Sequence, residues 1–331
     1  MERFALAAAV VLGFALTAAL CSLFVPLRRV LERREQQQQP VQSEQPRPVP
    51  LRAPLWGGLC AAAGTVAAVG VGWLAACVGQ PELLGSEGRL MTRLLTALAG
   101  SLAFGAVGFA EDLARMRSPA ALGLRRDVRL LLEALAAAFV LLLLRAAGCL
   151  PRGLGVPGAG YVLLGSAVPF LWAVLMVALA ECARIAERDE GAVCGAAFVA
   201  MLALMMVEAG LGVSGLAVLP GALAGALVAL GLWAFPPARL GVGCCGSLLA
   251  AGAIGCIPLS LDMTSLTVPL ALPFWAARGL LAAQLLRAKR TGKPLRCWVK
   301  KHKMSPETVF LCSFALSAVG YVLALALLRW C

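Results

Sequence analysis

Long apolar runs, separated by short polar segments, follow one another along the whole chain. A transmembrane helix needs about 20 apolar residues to cross the hydrocarbon core of a bilayer, which is about 30 Å thick. The pattern therefore predicts an all-α, polytopic transmembrane bundle of about ten helices. The apolar runs cover residues 4–27, 55–79, 93–110, 128–148, 161–181, 192–212, 215–234, 246–262, 265–287 and 307–328. The segments between them are too short to form a separate core, so we interpret residues 1–331 as one integral membrane domain.

The composition excludes the ordinary soluble classes of protein. Hydrophobic residues make up 61% of the 331 residues and charged residues only 14%, whereas soluble domains are about half apolar and a quarter charged. Many of the apolar residues are Ala and Gly, whose small side chains allow transmembrane helices to approach closely. A membrane β-barrel would instead alternate apolar and polar residues over short segments. The composition thus favours packed membrane helices.

Positive charge is distributed unevenly over the polar segments. A net charge of +12 would suit a nucleic-acid partner, but Lys and Arg collect in alternate segments, as the positive-inside rule describes for membrane proteins. The basic segments contain Arg28, Arg29, Arg33, Arg34, Arg47 and Arg52, then Arg115, Arg117, Arg125 and Arg126, and then Arg287, Lys289, Arg290, Lys293, Arg296, Lys300, Lys301 and Lys303. This asymmetry predicts that both termini lie outside the cytoplasm and that no nucleic acid is bound. We expect the last basic segment to attract anionic lipids.

Residues 30–54 form a low-complexity segment between the first and second apolar runs. It contains consecutive Glu and Gln residues, followed by polar residues spaced by Pro. Such a composition is typical of flexible linkers. We interpret this segment as a flexible cytoplasmic linker.

Two acidic motifs stand where apolar runs meet the basic side of the membrane. Glu111 and Asp112 are adjacent at the end of the third run, and Glu187 and Glu190 follow the fifth. The latter pair is three residues apart, so on a helix it would share one face. Carboxylates in this arrangement could hold Mg²⁺ or orient a phosphate. Solvated boundary charges, or ion pairs with neighbouring arginines, remain open as alternatives.

Five segments together resemble the motifs of the polyprenyl-phosphate N-acetylhexosamine-1-phosphate transferases, most closely the phospho-N-acetylmuramoyl-pentapeptide transferase branch. Residues 52–59 (R-A-P-L-W-G-G-L) are similar to the family's G-T-P-T-M-G-G-L, and residues 108–112 (G-F-A-E-D) to its G-F-x-D-D. Residues 181–192 match the length of N-x-x-N-x-x-D-G-x-D-G-L. Residues 237–248 fall on P-A-K and G-D-T-G-S-L, and residues 294–299 occupy the place of P-I-H-H-H-F. The segments occur in the family's order.

The resemblance implies transfer of a sugar-1-phosphate from a UDP-sugar to undecaprenyl phosphate, with Mg²⁺ as cofactor and UMP as product. It also implies a multi-pass protein of the bacterial plasma (inner) membrane that serves cell-wall, or peptidoglycan, synthesis. The positions that match functional residues of the family are Glu111, Asp112, Glu187 and Glu190 as catalytic candidates, Arg129, Arg184 and Arg296 as substrate-binding candidates, and Glu111, Asp112 and Glu187 as metal ligands, with Cys244 at the family's Mg²⁺-ligand position.

Several polar positions depart from the family pattern. Cys244 stands where the family has an Asp ligand, Arg296 begins the segment that has three His, and Glu181 and Arg184 replace two Asn. A thiol is a poor ligand for the hard Mg²⁺ ion. We therefore expect a transferase-like protein with impaired catalysis that binds lipid phosphate or nucleotide, or acts as a partner of cell-wall enzymes or as a homodimer. Two alternatives stay open: an active transferase with a variant Glu/Asp metal site, and an unrelated transporter.

Overall fold

The structure is a computed structural model, and it describes residues 2–38, 56–79, 88–117, 123–151, 153–156, 160–163, 165, 167–187, 191–213, 215–235, 238–291 and 306–330.

Eleven α-helices dominate these residues. They are α1 (Glu2–Gln38), α2 (Gly57–Gly79), α3 (Gly88–Arg117), α4 (Arg126–Ala146), α5 (Ala167–Ala186), α6 (Ala192–Gly210), α7 (Val218–Ala234), α8 (Gly243–Ser260), α9 (Thr267–Leu270), α10 (Leu272–Thr291) and α11 (Pro306–Trp330). A 3₁₀ turn at Thr264–Leu266 leads into α9, and strands β1 (Gly153–Val156) and β2 (Gly160–Leu163) lie between α4 and α5.

Seven helices in the described part of the chain are long and apolar enough to cross a membrane: α1, α2, α3, α5, α6, α8 and α11. An eighth span forms if Thr264–Leu270 and Leu272–Ala283, which meet at a 57° bend, cross together. Two further predicted runs fall on α7, an apolar helix of 17 residues, and on α4, which carries Arg129, Glu133 and Arg145. The all-α bundle is confirmed, with seven or eight spans by length and composition. The orientation of the termini stays a prediction.

The fifth predicted run is wrong at its beginning. The sequence predicted a helix over residues 161–181, but residues 160–163 form β2, which pairs antiparallel with β1, Gly153 opposite Leu163. The helix α5 begins only at Ala167. The segment is apolar yet rich in glycine, which disfavours a helix and favours turns, and a short apolar run does not by itself distinguish strand from helix.

The first helix is longer than its apolar run. α1 extends to Gln38, so residues 30–38 of the predicted linker continue the helix as far as the structure describes them. Glu, Arg and Gln are good helix formers, which explains how the helix extends beyond the apolar residues. The remaining linker residues, 39–54, lie outside the described residues, and their flexibility stays a prediction.

Helix α8 lies at the centre of the bundle, where every one of its residues is buried. It packs against α3, and also against α2, α5 and α6. The contact with α3 is close because glycine faces backbone: a Cβ on Gly108 would lie 2.5 Å from the carbonyl carbon of Cys244 and 2.7 Å from the amide nitrogen of Cys245. A Cβ on Gly252 would similarly lie 3.1 Å from the Cα of Ser101. This approach brings the first turn of α8 onto the acidic end of α3.

Candidate functional site

Nine polar side chains converge where the end of α3, the beginning of α4, the end of α5 and the beginning of α8 meet. We call this group the charged cluster, and it consists of Glu111, Asp112, Arg115, Arg129, Glu133, Glu181, Arg184, Glu187 and Cys244. The structure thus brings together six of the eight residues that the sequence nominated. The other two, Glu190 and Arg296, lie outside the described residues.

The carboxylate of Asp112 binds the first turn of α8. Its Oδ1 accepts a hydrogen bond from the backbone N–H of Cys244 (3.0 Å), and its Oδ2 accepts one from the N–H of Cys245 (2.9 Å). The first amides of a helix have no acceptor within the helix and form its positive end. Gly243, with φ +70°, supplies the left-handed residue that starts this turn. Asp112 is fully buried and therefore fixes α8 relative to α3.

Arg115 contacts three carboxylates at once. Its Nη2 donates to Oε1 of Glu111 at 2.8 Å, and its Nη1 lies 3.3 Å from Oε2 of Glu187 and 3.9 Å from Oδ1 of Asp112. The planar guanidinium fork is suited to bridging carboxylates in this way. The sequence pattern alone predicts Arg115 only as one cation of a basic segment. Its spacing of four residues from Glu111 on one helix was the signal that could have identified it.

Glu181 holds the other two arginines of the cluster. Its Oε1 accepts a hydrogen bond from Nε of Arg129 at 2.8 Å, and its Oε2 accepts one from Nη2 of Arg184 at 2.7 Å. The same arginines lie 3.8 and 3.9 Å from Oε1 of Glu111. Glu181 therefore serves as an anion that positions two guanidinium groups.

Glu133 is a member of the cluster that belongs to none of the five motif segments. It lies one turn after Arg129 on α4 and is fully buried, and neither of its carboxyl oxygens has a hydrogen-bond partner among the described residues. Oε2 of Glu111 is likewise buried without such a partner. An ionisable residue inside an apolar run is a functional candidate by default in a membrane protein, and this signal was available in the run 128–148.

Cys244 and Glu187 complete a possible set of metal ligands with Asp112. The Cys244 thiol donates to Oε2 of Glu187, with a distance of 3.0 Å between Sγ and the oxygen. One donor atom from each of Asp112, Glu187 and Cys244 lies within 4.8 Å of the other two. These three residues form the one such group of His, Cys, Asp and Glu found in the part of the chain that the structure describes.

The conserved sequence model of glycosyl transferase family 4 matches residues 94–262. This stretch is slightly more than half of the chain and contains the whole charged cluster. The chain belongs to glycosyl transferase family 4. The chain is also similar to the phospho-N-acetylmuramoyl-pentapeptide-transferase of Desulforudis audaxviator (strain MP104C), with 32% identity over 170 residues. The aligned region covers 48% of this chain and 50% of the relative. The match thus spans about half the length of that relative.

Membership of family 4 confirms the resemblance that the five motifs indicated. Together with the apolar helices, it identifies a multi-pass membrane protein. It also rules out one of the three hypotheses from the sequence, namely that of an unrelated transporter. The matched residues include most of α3 and all of α4, α5 and α8, which are the helices that build the charged cluster.

Proposed function

We propose that this chain is a membrane protein of the polyprenyl-phosphate sugar-1-phosphate transferase type in which Mg²⁺-dependent transfer is impaired. Its charged cluster would bind the phosphate of a polyprenyl lipid or of a UDP-sugar, in the bacterial inner membrane, alone or beside cell-wall enzymes. Family membership supports the class of substrate. Three guanidinium groups in one cluster support phosphate binding, since Arg is well matched to phosphate oxygens.

The position of Arg115 is the observation that best supports impaired Mg²⁺-dependent transfer. Its guanidinium lies between the carboxylates of Glu111, Asp112 and Glu187, which are the positions assigned to the metal by the family resemblance. A fixed cation in this place neutralises the negative charge that would otherwise attract Mg²⁺. The ion pairs of Arg115 therefore compensate part of the negative charge of the site and reduce its attraction for Mg²⁺.

The donor atoms do not fit Mg²⁺. This ion requires a near-octahedral shell of oxygen ligands, but the third donor beside Asp112 and Glu187 is the sulfur of Cys244. We therefore assign no step of a reaction to Mg²⁺ in this chain.

A second candidate function is an active transferase with a variant metal site built from Glu111, Asp112, Glu187 and Glu190. The close approach of Asp112, Glu187 and Cys244 favours it. In that case Arg115 would have to move away from Glu187 when the ion binds.

Transferase activity decides between the two candidates. We expect the purified protein in detergent, given undecaprenyl phosphate, a panel of UDP-sugars and Mg²⁺ or Mn²⁺, to release UMP at least about 100-fold more slowly than an intact family member, because misplacement of about 1 Å in a site has an effect of that order. UMP release at the rate of the intact enzyme, abolished by Glu111→Gln, would establish the second candidate instead.

We expect the single substitution Cys244→Asp to leave UMP release at background. It supplies the missing oxygen ligand. Arg115, however, still forms ion pairs with the three carboxylates, and Glu181 still stands where the family motif has an Asn. The measurement is the same UMP assay on wild-type and variant protein, with a folded, monodisperse sample of each as the control. Recovery of a rate within about tenfold of the intact enzyme would mean that the thiol is the only defect.

A further inference from the structure

We infer that Asp112, Glu187 and Cys244 form a binding site for a thiophilic divalent cation of the Zn²⁺ type. The inference rests on the proposed function only in placing the ion in the same cluster, and it does not require turnover. The donor set that is unsuited to Mg²⁺ is suited to a softer divalent ion.

The geometry of the three donors supports a small ion. Ligands at 2.0–2.3 Å from a tetrahedral zinc ion are separated from one another by about 3.5 Å. The donors of Asp112, Glu187 and Cys244 already lie within 4.8 Å of one another, and the thiol is 3.0 Å from a Glu187 oxygen. Small rotations of the Glu187 and Cys244 side chains would therefore bring the donors to ligand distance, and α8 holds Asp112 in place meanwhile.

A buried carboxyl oxygen of Glu111 that has no hydrogen-bond partner among the described residues is an independent indication that the cluster can accept a cation. Within the described residues the cluster contains five carboxyl groups and only three guanidinium groups. These are Glu111, Asp112, Glu133, Glu181 and Glu187 against Arg115, Arg129 and Arg184. The carboxyl groups of the cluster thus outnumber its guanidinium groups by two. Buried charges are strongly unfavourable unless they are paired, and Oε2 of Glu111 is buried without a hydrogen-bond partner in this part of the chain.

The chemistry of the donor set selects the ion. A thiolate is a soft ligand that Zn²⁺ and Cd²⁺ accept readily, whereas Mg²⁺ prefers oxygen. On binding, the Cys244 thiol gives its proton to solvent, its hydrogen bond to Glu187 is lost, and metal–sulfur and metal–oxygen bonds replace it. Arg115, 3.3 Å from Glu187, competes with the ion for this carboxylate and weakens its binding.

The test is metal binding by the full-length protein in detergent. We expect wild-type protein, dialysed against Zn²⁺ and then washed, to retain about one equivalent more Zn²⁺ per chain than Cys244→Ser, with an affinity at least about 100-fold higher. Cd²⁺ should give an ultraviolet thiolate charge-transfer band that Cys244→Ser reduces. Millimolar Mg²⁺ should not displace either ion. Arg115→Met, which removes the competing cation, should bind Zn²⁺ more tightly than wild type.

A matched control separates this site from the other cysteines. Cys256 is buried on the same helix, away from the cluster, so Cys256→Ser should retain the Zn²⁺ that Cys244→Ser loses. Glu187→Gln should also lose it, which provides a second variant if Cys244→Ser does not fold. Equal Zn²⁺ content in wild type, Cys244→Ser and Glu187→Gln would overturn the inference, as would no Zn²⁺ binding by wild type. UMP release, measured separately, decides the proposed function and is unaffected by either result.

Discussion

Asp112→Ala should lower the melting temperature of the detergent-solubilised protein by about 10 °C. The substitution removes the acceptor of two charge-assisted hydrogen bonds at the start of α8, each of which contributes about 1.5–3 kcal/mol. It leaves two backbone N–H groups unpaired in a fully buried place. A loss of about 3–5 kcal/mol in a chain of this size corresponds to a shift of about 2–4 °C per kcal/mol. Thermal unfolding followed by tryptophan fluorescence measures it.

Asp127→Ala is the matched control for this prediction. Asp127 is an exposed carboxylate in the first turn of α4, so its removal should change the free energy of unfolding by less than about 1 kcal/mol. Asp112→Asn retains one acceptor oxygen and should give an intermediate shift. If Asp112→Ala unfolds at the temperature of Asp127→Ala, then the Asp112 carboxylate does not hold α8 in place.

Gly108→Ala should destabilise the protein by at least about 3 kcal/mol. The new Cβ would overlap the backbone of α8, 2.5 Å from the Cys244 carbonyl carbon and 2.7 Å from the Cys245 nitrogen. Backbone atoms of a buried helix cannot turn aside as a flexible side chain does, so α8 must shift away from α3. Overpacking alone is unfavourable by about 1–3 kcal/mol, and the shift also stretches the hydrogen bonds to Asp112. The same thermal unfolding assay detects the loss.

Gly70→Ala, in contrast to Gly108→Ala, should raise the stability of the protein. Gly70 lies within α2, and nothing lies within 4 Å of the position that its Cβ would take, so the change should stabilise the helix by about 0.5–1 kcal/mol. The double variant Gly108→Ala with Asp112→Ala should lose less than the sum of the two single losses, because both act through the start of α8. Strict additivity would show that the two residues support α8 independently.

The helices could be predicted from the sequence because the thickness of the bilayer sets the length of each apolar run. The same rule failed at β2, where glycine and apolar residues occur together and the run alone does not distinguish strand from helix. The same rule also underestimated the length of α1, because its polar continuation to Gln38 depends on helix propensity and not on hydropathy.

The charged cluster could be predicted only in part. Asp112 and Cys244 are 132 residues apart, and no periodicity relates them, so their proximity came from the order of the motifs in the family. Arg115 and Glu133 are not among the motif positions that the resemblance supplied. Their roles depend on the angle at which α3, α4 and α5 meet, and this is set by packing contacts, such as those of Gly108, that a single sequence does not reveal.

The two least buried spans are more hydropathic than the one that is buried throughout. The peripheral helices α1 and α11 have mean hydropathies of 2.4 and 2.2 with 22% and 17% of their spans buried, whereas α8 has 1.6 and is buried throughout. A helix that touches lipid gains from large apolar side chains, but one enclosed by protein gains from small ones. The main neighbours of α8, which are α2, α3, α5 and α6, all precede it in the chain. During synthesis, the segment that carries Cys244 therefore leaves the ribosome after those neighbours, and it enters a bilayer in which its protein surroundings have already been made.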